Sequence, residues 1–135
     1  MNTGIRLTLE DYEDMVATGM FDGRWRRRVE FIRGEIREMS PIGPAHDWVV
    51  SYLTRWSTDH LPAAVGDVRI QSSLRVPSLE SVPEPDVVWY RPGSYRKRHP
   101  QAEDVQLLIE VADSSLAYDR GEKAGLYAAA GIAEY

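Results

Sequence analysis

The chain has 135 residues, 43% of them hydrophobic and 27% charged, which suits an ordered protein with one real core and not comfortably two. A net charge of −5 excludes a protein that coats nucleic acid through bulk positive charge, although a divalent ion in an acidic pocket can supply positive charge locally. The absence of cysteine excludes disulfide frameworks and thiolate metal sites. No apolar run approaches the ~18 residues of a membrane span, so no membrane partner is expected. The first residues lack a basic-then-apolar leader pattern, and a reducing, cytoplasmic setting is expected.

In chain order, residues 8–17 predict a short helix, with Thr8 as N-cap and acids in the first turn where the helix dipole favours them. Gly19 to Gly23 break it. Val29–Ile32, a turn at Arg33-Gly34 and Glu35–Met39 predict a β-hairpin. After a loop over Ser40–Pro44, the recurrence of His46, Val49, Val50, Leu53, Trp56 and Ser57 predicts an amphipathic helix from about Ala45 to Asp59, ended by Pro62. Val68–Val76 alternates at period two and predicts a strand bent at Ser72-Ser73. Pro77–Pro85 reads as a polar loop, Val87–Tyr90 as a strand, and Val105–Val111 as another, with a Pro/Gly/Arg-rich connection between them.

Asp113-Ser114-Ser115 reads as a turn. The last helix is predicted to start at Asp119 as N-cap, with Glu122 closing a capping box and Gly131 as the C-terminal cap. Lys123, Leu126, Tyr127 and Ala130 share one face of it. Ile132–Tyr135 resembles the start of a further strand. The order αββαβββα, with two near-continuous apolar strands, predicts one α/β or α+β domain over residues 1–135 with a mixed central sheet between helices.

Three ionisable residues fall in segments that otherwise read as core. Asp86 opens the strand Val87–Tyr90, Glu110 interrupts the strand Val105–Val111, and Lys123 lies on the inward face of the last helix. Burying one unpaired charge costs several kcal/mol, a large share of what a domain has to spare. Taken singly, each has a plain structural reading: a loop-capping Asp, a Glu paired with an arginine, a lysine whose stem packs while its head reaches water. Jointly, two acids and a base point to a metal-assisted site. Oxygen ligands suit a hard ion such as Mg2+, and a nearby ammonium stabilises charge on a phosphoryl group under displacement.

The strings Glu84-Pro85-Asp86-Val87-Val88 and Leu108–Ala128, together with Val29–Ile36, Met39-Ser40-Pro41 and His46, resemble the Uma-type putative restriction endonuclease family of the PD-(D/E)XK nuclease superfamily. The resemblance covers nearly the whole chain. It implies a restriction-endonuclease-like fold and metal-dependent hydrolysis of DNA phosphodiester bonds in the bacterial cytoplasm. Asp86 and Glu110 would ligate Mg2+ (Mn2+ as a substitute), with the carbonyl of Val111 and, through a bound water, Glu30. The superfamily's commoner pattern has lysine two residues after the second acid. Here Ala112 stands there, and the base has moved to Lys123, so the catalytic set implied is Glu30, Asp86, Glu110 and Lys123. The resemblance further implies C-terminal strands beyond Tyr135 that this chain lacks, and a homodimer to complete the edge.

His46, Gln71 and Ser114 are secondary candidates, each with an adequate structural reading: capping or core, polar rim, and turn. Tyr127 is read as core. Two basic clusters, Arg24 and Arg26–Arg28 around Trp25 and Arg91, Arg96–His99 around Tyr95, are read as solvated rims or phosphate contacts. The rival to a DNA-cleaving enzyme is a catalytically inactive remnant that binds nucleic acid or protein through those arginines. A carboxylate-pair hydrolase acting on a sugar is a third class, which Lys123 counts against.

Overall fold

A computed structural model describes residues 4–22, 28–39, 43–112 and 116–135, with side chains in the last stretch from Gly121 onward. Helix α1 (Leu9–Ala17) starts where its cap dictates: the Thr8 hydroxyl accepts from the Asp11 N–H at 3.1 Å, and the Asp11 carboxylate accepts from the Thr8 N–H at 2.9 Å. Strands β1 (Val29–Ile32) and β2 (Glu35–Glu38) form the expected antiparallel hairpin. Its two turn residues, Arg33 and Gly34, have φ of 48° and 82°, as a tight two-residue hairpin turn requires. Gly34 is needed twice over, because a Cβ there would meet the Leu7 carbonyl oxygen at 2.9 Å.

Helix α2 (Pro44–His60) has Pro44 at its first position, where the missing N–H costs nothing. Strands β3 (Asp67–Ile70), β4 (Val87–Tyr90) and β5 (Val105–Ile109) make a second sheet in the order β3-β4-β5. Helix α3 (Leu116–Ala129) closes the described chain. Its end is a Schellman turn: the N–H of Ile132 donates to the Tyr127 carbonyl, that of Gly131 to Ala128, and Gly131 has φ of 82°.

The α+β class and the element order agree with expectation, but several boundaries and the sheet do not. All paired strands are antiparallel and lie in two small sheets, where one mixed central sheet was expected. The sheets are linked by a Phe31–Val82 bridge, and among the described residues parallel pairing is confined to the single Arg75–Gln101 bridge. The strand expected to run to Val76 stops at Ile70, because Gln71 takes φ of 47° and turns the chain before the serine pair. The strand expected through Val111 stops at Ile109, placing Glu110 just past its end. Helix α3 begins at Leu116, so Asp119 lies inside it and not at its cap. The turn Asp113–Ser115 lies outside the described residues. Ile132–Tyr135 is not a strand, although Leu108 N–H donates to the Glu134 carbonyl at 3.1 Å, so the segment does run beside β5.

The main core gathers Ile32, Leu74, Val76, Val88, Tyr90, Leu108, Leu126, Tyr127 and Ile132. A second cluster holds Leu9, Tyr12, Phe31 and Val82, with the Tyr12 and Phe31 rings stacked at 4.7 Å. The segment read as a polar loop is in fact wall: Ser81, Val82, Pro83 and Pro85 are all buried. Leu126 is fully buried at the junction of α3 with the sheet. Leu126→Ala is therefore expected to lose about 2–5 kcal/mol of unfolding free energy in a urea titration, and Thr8→Ala only about 1 kcal/mol.

Candidate functional site

Asp86 occupies the bend between buried Pro85 and the start of β4, with only 6% of its surface exposed. Each of its oxygens has a partner. Oδ2 accepts the Val111 N–H at 2.8 Å, and Oδ1 lies 2.9 Å from Nε2 of His46 in the first turn of α2. The backbone is fixed as well: the Gln71 N–H donates to the Asp86 carbonyl at 3.0 Å, carrying the β3–β4 register one residue further.

Around Lys123 lies a second, connected group. Glu30 points inward from β1, and its Oε2 accepts from the Lys123 ammonium at 2.7 Å and from the Glu84 N–H at 2.8 Å. Glu110 Oε2 accepts from the same ammonium at 3.0 Å, while Oε1 accepts from the Tyr127 hydroxyl at 3.2 Å. Lys123 and Tyr127 stand four residues apart on α3, the spacing that brings two side chains to one place. The lysine side chain is 13% exposed, so it is an inward group and not a snorkelling one. Beside it, Glu84 pairs with Arg28 at 3.6 Å.

Electrostatics follow from two carboxylates, Glu30 and Glu110, on one ammonium, with Asp86 nearby. Burial pushes Glu110 up to about 7; Lys123 pulls it back down, while Asp86 and Glu30 push it further up. Burial works against the Lys123 ammonium, but Glu110 and Glu30 more than offset it, and its pKa lies above the ordinary lysine value. Glu84 is also raised, first by burial, with Arg28 opposing and Glu30 adding to the rise. Tyr127 is raised well above the usual tyrosine value by burial and by Glu110, which keeps its hydroxyl a donor.

The structure thus brings Glu30, Asp86, Glu110, Val111 and Lys123 into one neighbourhood. His46 joins them on Asp86, and Gln71 through its backbone. Ser114 lies outside the described residues, as do Arg24, Trp25, Arg26 and Arg27. Of the first basic cluster, Arg28 faces Glu84. In the second, Arg98 is bonded to Asp104 at 2.9 Å and lies over the Tyr95 ring at 5.0 Å, while its neighbours are exposed. Sequence reasoning missed the parts played by Tyr127 and Glu84 and held His46 as a secondary candidate. The i,i+4 relation of Tyr127 to Lys123 was the available signal.

The model of the family described as "Uma2: Putative restriction endonuclease" matches residues 9–135. The chain belongs to that family. No curated protein matches it. For a Uma2 chain, the α+β arrangement of three α-helices and two small antiparallel sheets among the described residues is consistent with a restriction-endonuclease-like fold. None of the described helices is long and apolar enough to cross a membrane.

The fit of a divalent ion to these residues rests on the donor set. Two carboxylates with waters completing the shell is the usual provision for Mg2+. Among the described residues, no three His, Asp or Glu side chains are placed together as a ready-made cage. The oxygens of Asp86 and Glu110 are held by His46, Val111, Lys123 and Tyr127. The excess of carboxylates over the one ammonium among Glu30, Asp86, Glu110 and Lys123 nevertheless favours a divalent cation. These residues fit it.

A pH dependence follows for the protein stripped of divalent ions. Glu110 has a folded pKa of about 7 against its ordinary 4.5, so folding favours its protonated form. The stability this contributes is complete below pH 4.5 and is lost as pH rises through about 7. In chelator, the wild type is expected to lose stability across that window, and Glu110→Gln to lose distinctly less; denaturant titrations at several pH values check it.

Proposed function

We propose that this chain is a divalent-cation-dependent endonuclease that hydrolyses phosphodiester bonds in DNA. The observation that carries the proposal is one buried ammonium, Lys123, set between Glu30 and Glu110 beside Asp86, in a member of the Uma2 family. Asp86 and Glu110, with the carbonyl of Val111, would hold Mg2+ or Mn2+. When bound, such an ion supplies Lewis-acid stabilisation of the phosphoryl group and activation of water.

The remaining roles belong to the chain's own groups. Lys123, desolvated and held positive, offers its ammonium to a phosphoryl oxygen as negative charge builds there. Glu30 anchors that ammonium through Oε2 and is itself fixed by the Glu84 N–H, so Lys123 keeps a partner whenever Glu110 is engaged elsewhere. Tyr127 sets the direction of the Glu110 carboxylate, and His46 with the Val111 N–H sets that of Asp86. Glu30 is a positioning residue in this scheme, reaching the reaction through Lys123.

Supercoiled plasmid incubated with Mg2+ or Mn2+ is expected to be nicked, and chelator to stop it. Lys123→Ala should slow nicking about 10²–10³-fold, the usual loss when one preorganised donor is removed. Asp86→Asn should abolish nicking, with circular dichroism unchanged in both variants. Undiminished cleavage by both would overturn the assignment. Metal-independent, salt-sensitive binding lost on changing Arg24 to Arg28 would instead favour the non-catalytic binder.

A further cation experiment separates binding from chemistry. Mg2+ should raise the melting temperature of the wild type through binding to the folded state alone, and should leave that of Asp86→Asn unmoved.

A further inference from the structure

The charged groups of the candidate site lie at two depths. The side chains of Glu30, Asp86 and Lys123 are 9–13% exposed and form its floor, whereas those of Arg28, Glu84 and Glu110 are 22–30% exposed. A ligand approaching from solvent meets the second group first.

The cations around this site are engaged unequally. Lys123 is bonded to Glu30 at 2.7 Å and to Glu110 at 3.0 Å. Arg37, opposite Glu30 in the hairpin, is bonded to Glu35 at 3.0 Å and to Glu122. Arg28 lies 3.6 Å from Glu84, too far for a hydrogen bond. Its buried Nη2 has no hydrogen-bond partner among the described residues.

The backbone of Arg28 is nevertheless fixed. The Met39 N–H donates to its carbonyl at 2.8 Å, which extends the β1–β2 ladder by one pair. Arg28 and Glu30 stand two residues apart and so share a face. Glu84 spans them, its N–H on Glu30 Oε2 at 2.8 Å and its carboxylate beside Arg28. The guanidinium is thus anchored at its root and unsatisfied at its head. It carries five N–H donors in a planar fork, and a donor withdrawn from water without an acceptor is costly. The paired free oxygens of a phosphodiester match that fork and bring the opposite charge.

We propose that Arg28 grips the DNA backbone at the mouth of this site, taking both non-bridging oxygens of a phosphodiester next to the one being cleaved. The inference rests on the nuclease reading above and adds a substrate-binding residue to it. Glu84 is the carboxylate that Arg28 leaves, so it competes with the substrate. Lys123, reached from Arg28 through Glu84 and Glu30, serves the phosphoryl group under attack. The two cations divide binding from chemistry.

Steady-state nicking of supercoiled plasmid by the full chain in Mg2+ tests it. Arg28→Ala is expected to raise KM about tenfold or more, the loss of one charge-assisted contact, with kcat within about twofold. Its plot of log kcat/KM against log salt should be shallower by about one. Arg28→Lys, which keeps the charge and loses the fork, should fall between the two. Glu84→Gln should lower KM, and that gain should vanish in combination with Arg28→Ala, because it acts through Arg28. An unchanged KM and salt slope in Arg28→Ala would overturn the proposal and leave the nuclease reading standing. A Glu84→Gln gain that persists without Arg28 would do the same. Should Arg28→Ala lose its circular dichroism, Arg28→Lys and Glu84→Gln decide the matter. A wild type that never nicks DNA would overturn both readings together.

Discussion

One ammonium shared by two acids from different sheets organises this structure. Lys123 reaches Glu30 on β1 and Glu110 just beyond β5, so a single side chain from α3 ties the hairpin to the three-stranded sheet. Unpaired, the inward-facing Lys123 or Glu30 would be destabilising, because each is largely withdrawn from water. Their mutual neutralisation is incomplete, since Asp86 adds a third carboxylate. The raised Glu110 records that excess, and the excess is what a proton or a cation relieves. Stability and chemistry are thus set by the same charge imbalance.

The backbone prepares this meeting from a distance. Phe31 and Val82 exchange backbone hydrogen bonds, which lays the segment before β4 alongside β1. Glu30, next to Phe31, then faces the N–H of Glu84, two residues beyond Val82. Buried Pro83 and Pro85 hold that segment extended and contribute no N–H that would need a partner. Asp86 follows directly, at the point where β4 begins. The stacked Tyr12 and Phe31 rings hold the hairpin from its other side, so α1, far from the site in sequence, helps keep Glu30 in place.

Much of this was legible in the residues, and the misses share a cause. The Thr8 cap, the Arg33-Gly34 turn and the periodicity of α2 are local signals, and each element formed where they indicated. Strand ends were over-extended because the alternation of Val68–Val76 and the apolar run to Val111 continue past points where tertiary contacts stop the pairing. Gln71 leaves the strand at positive φ, which nothing in its side chain announces. Residues 77–85 read as polar from composition, yet packing against β1 buries Ser81 to Pro83. Convergence was legible only as a bet on unusual charges in apolar contexts. Tyr127 and His46 carry no such anomaly, since an aromatic or a histidine on an inward helix face is ordinary.

Helix α3 shows how closely the requirements are interleaved. Over six residues it sends Lys123 and Tyr127 to Glu110 and Leu126 into the main core, while Glu122 meets Arg37 of β2. Tyr127 serves twice, its ring packed in the core and its hydroxyl bonded to the carboxylate. A rotation of the helix by one residue, about 100°, would remove the ammonium from the acids and the leucine from the core together. The Schellman turn at Gly131 opposes such a slip, because it fixes the last turn and seats Ile132 in the same core as Leu126. The register that packs the protein is therefore the one that assembles its charged site.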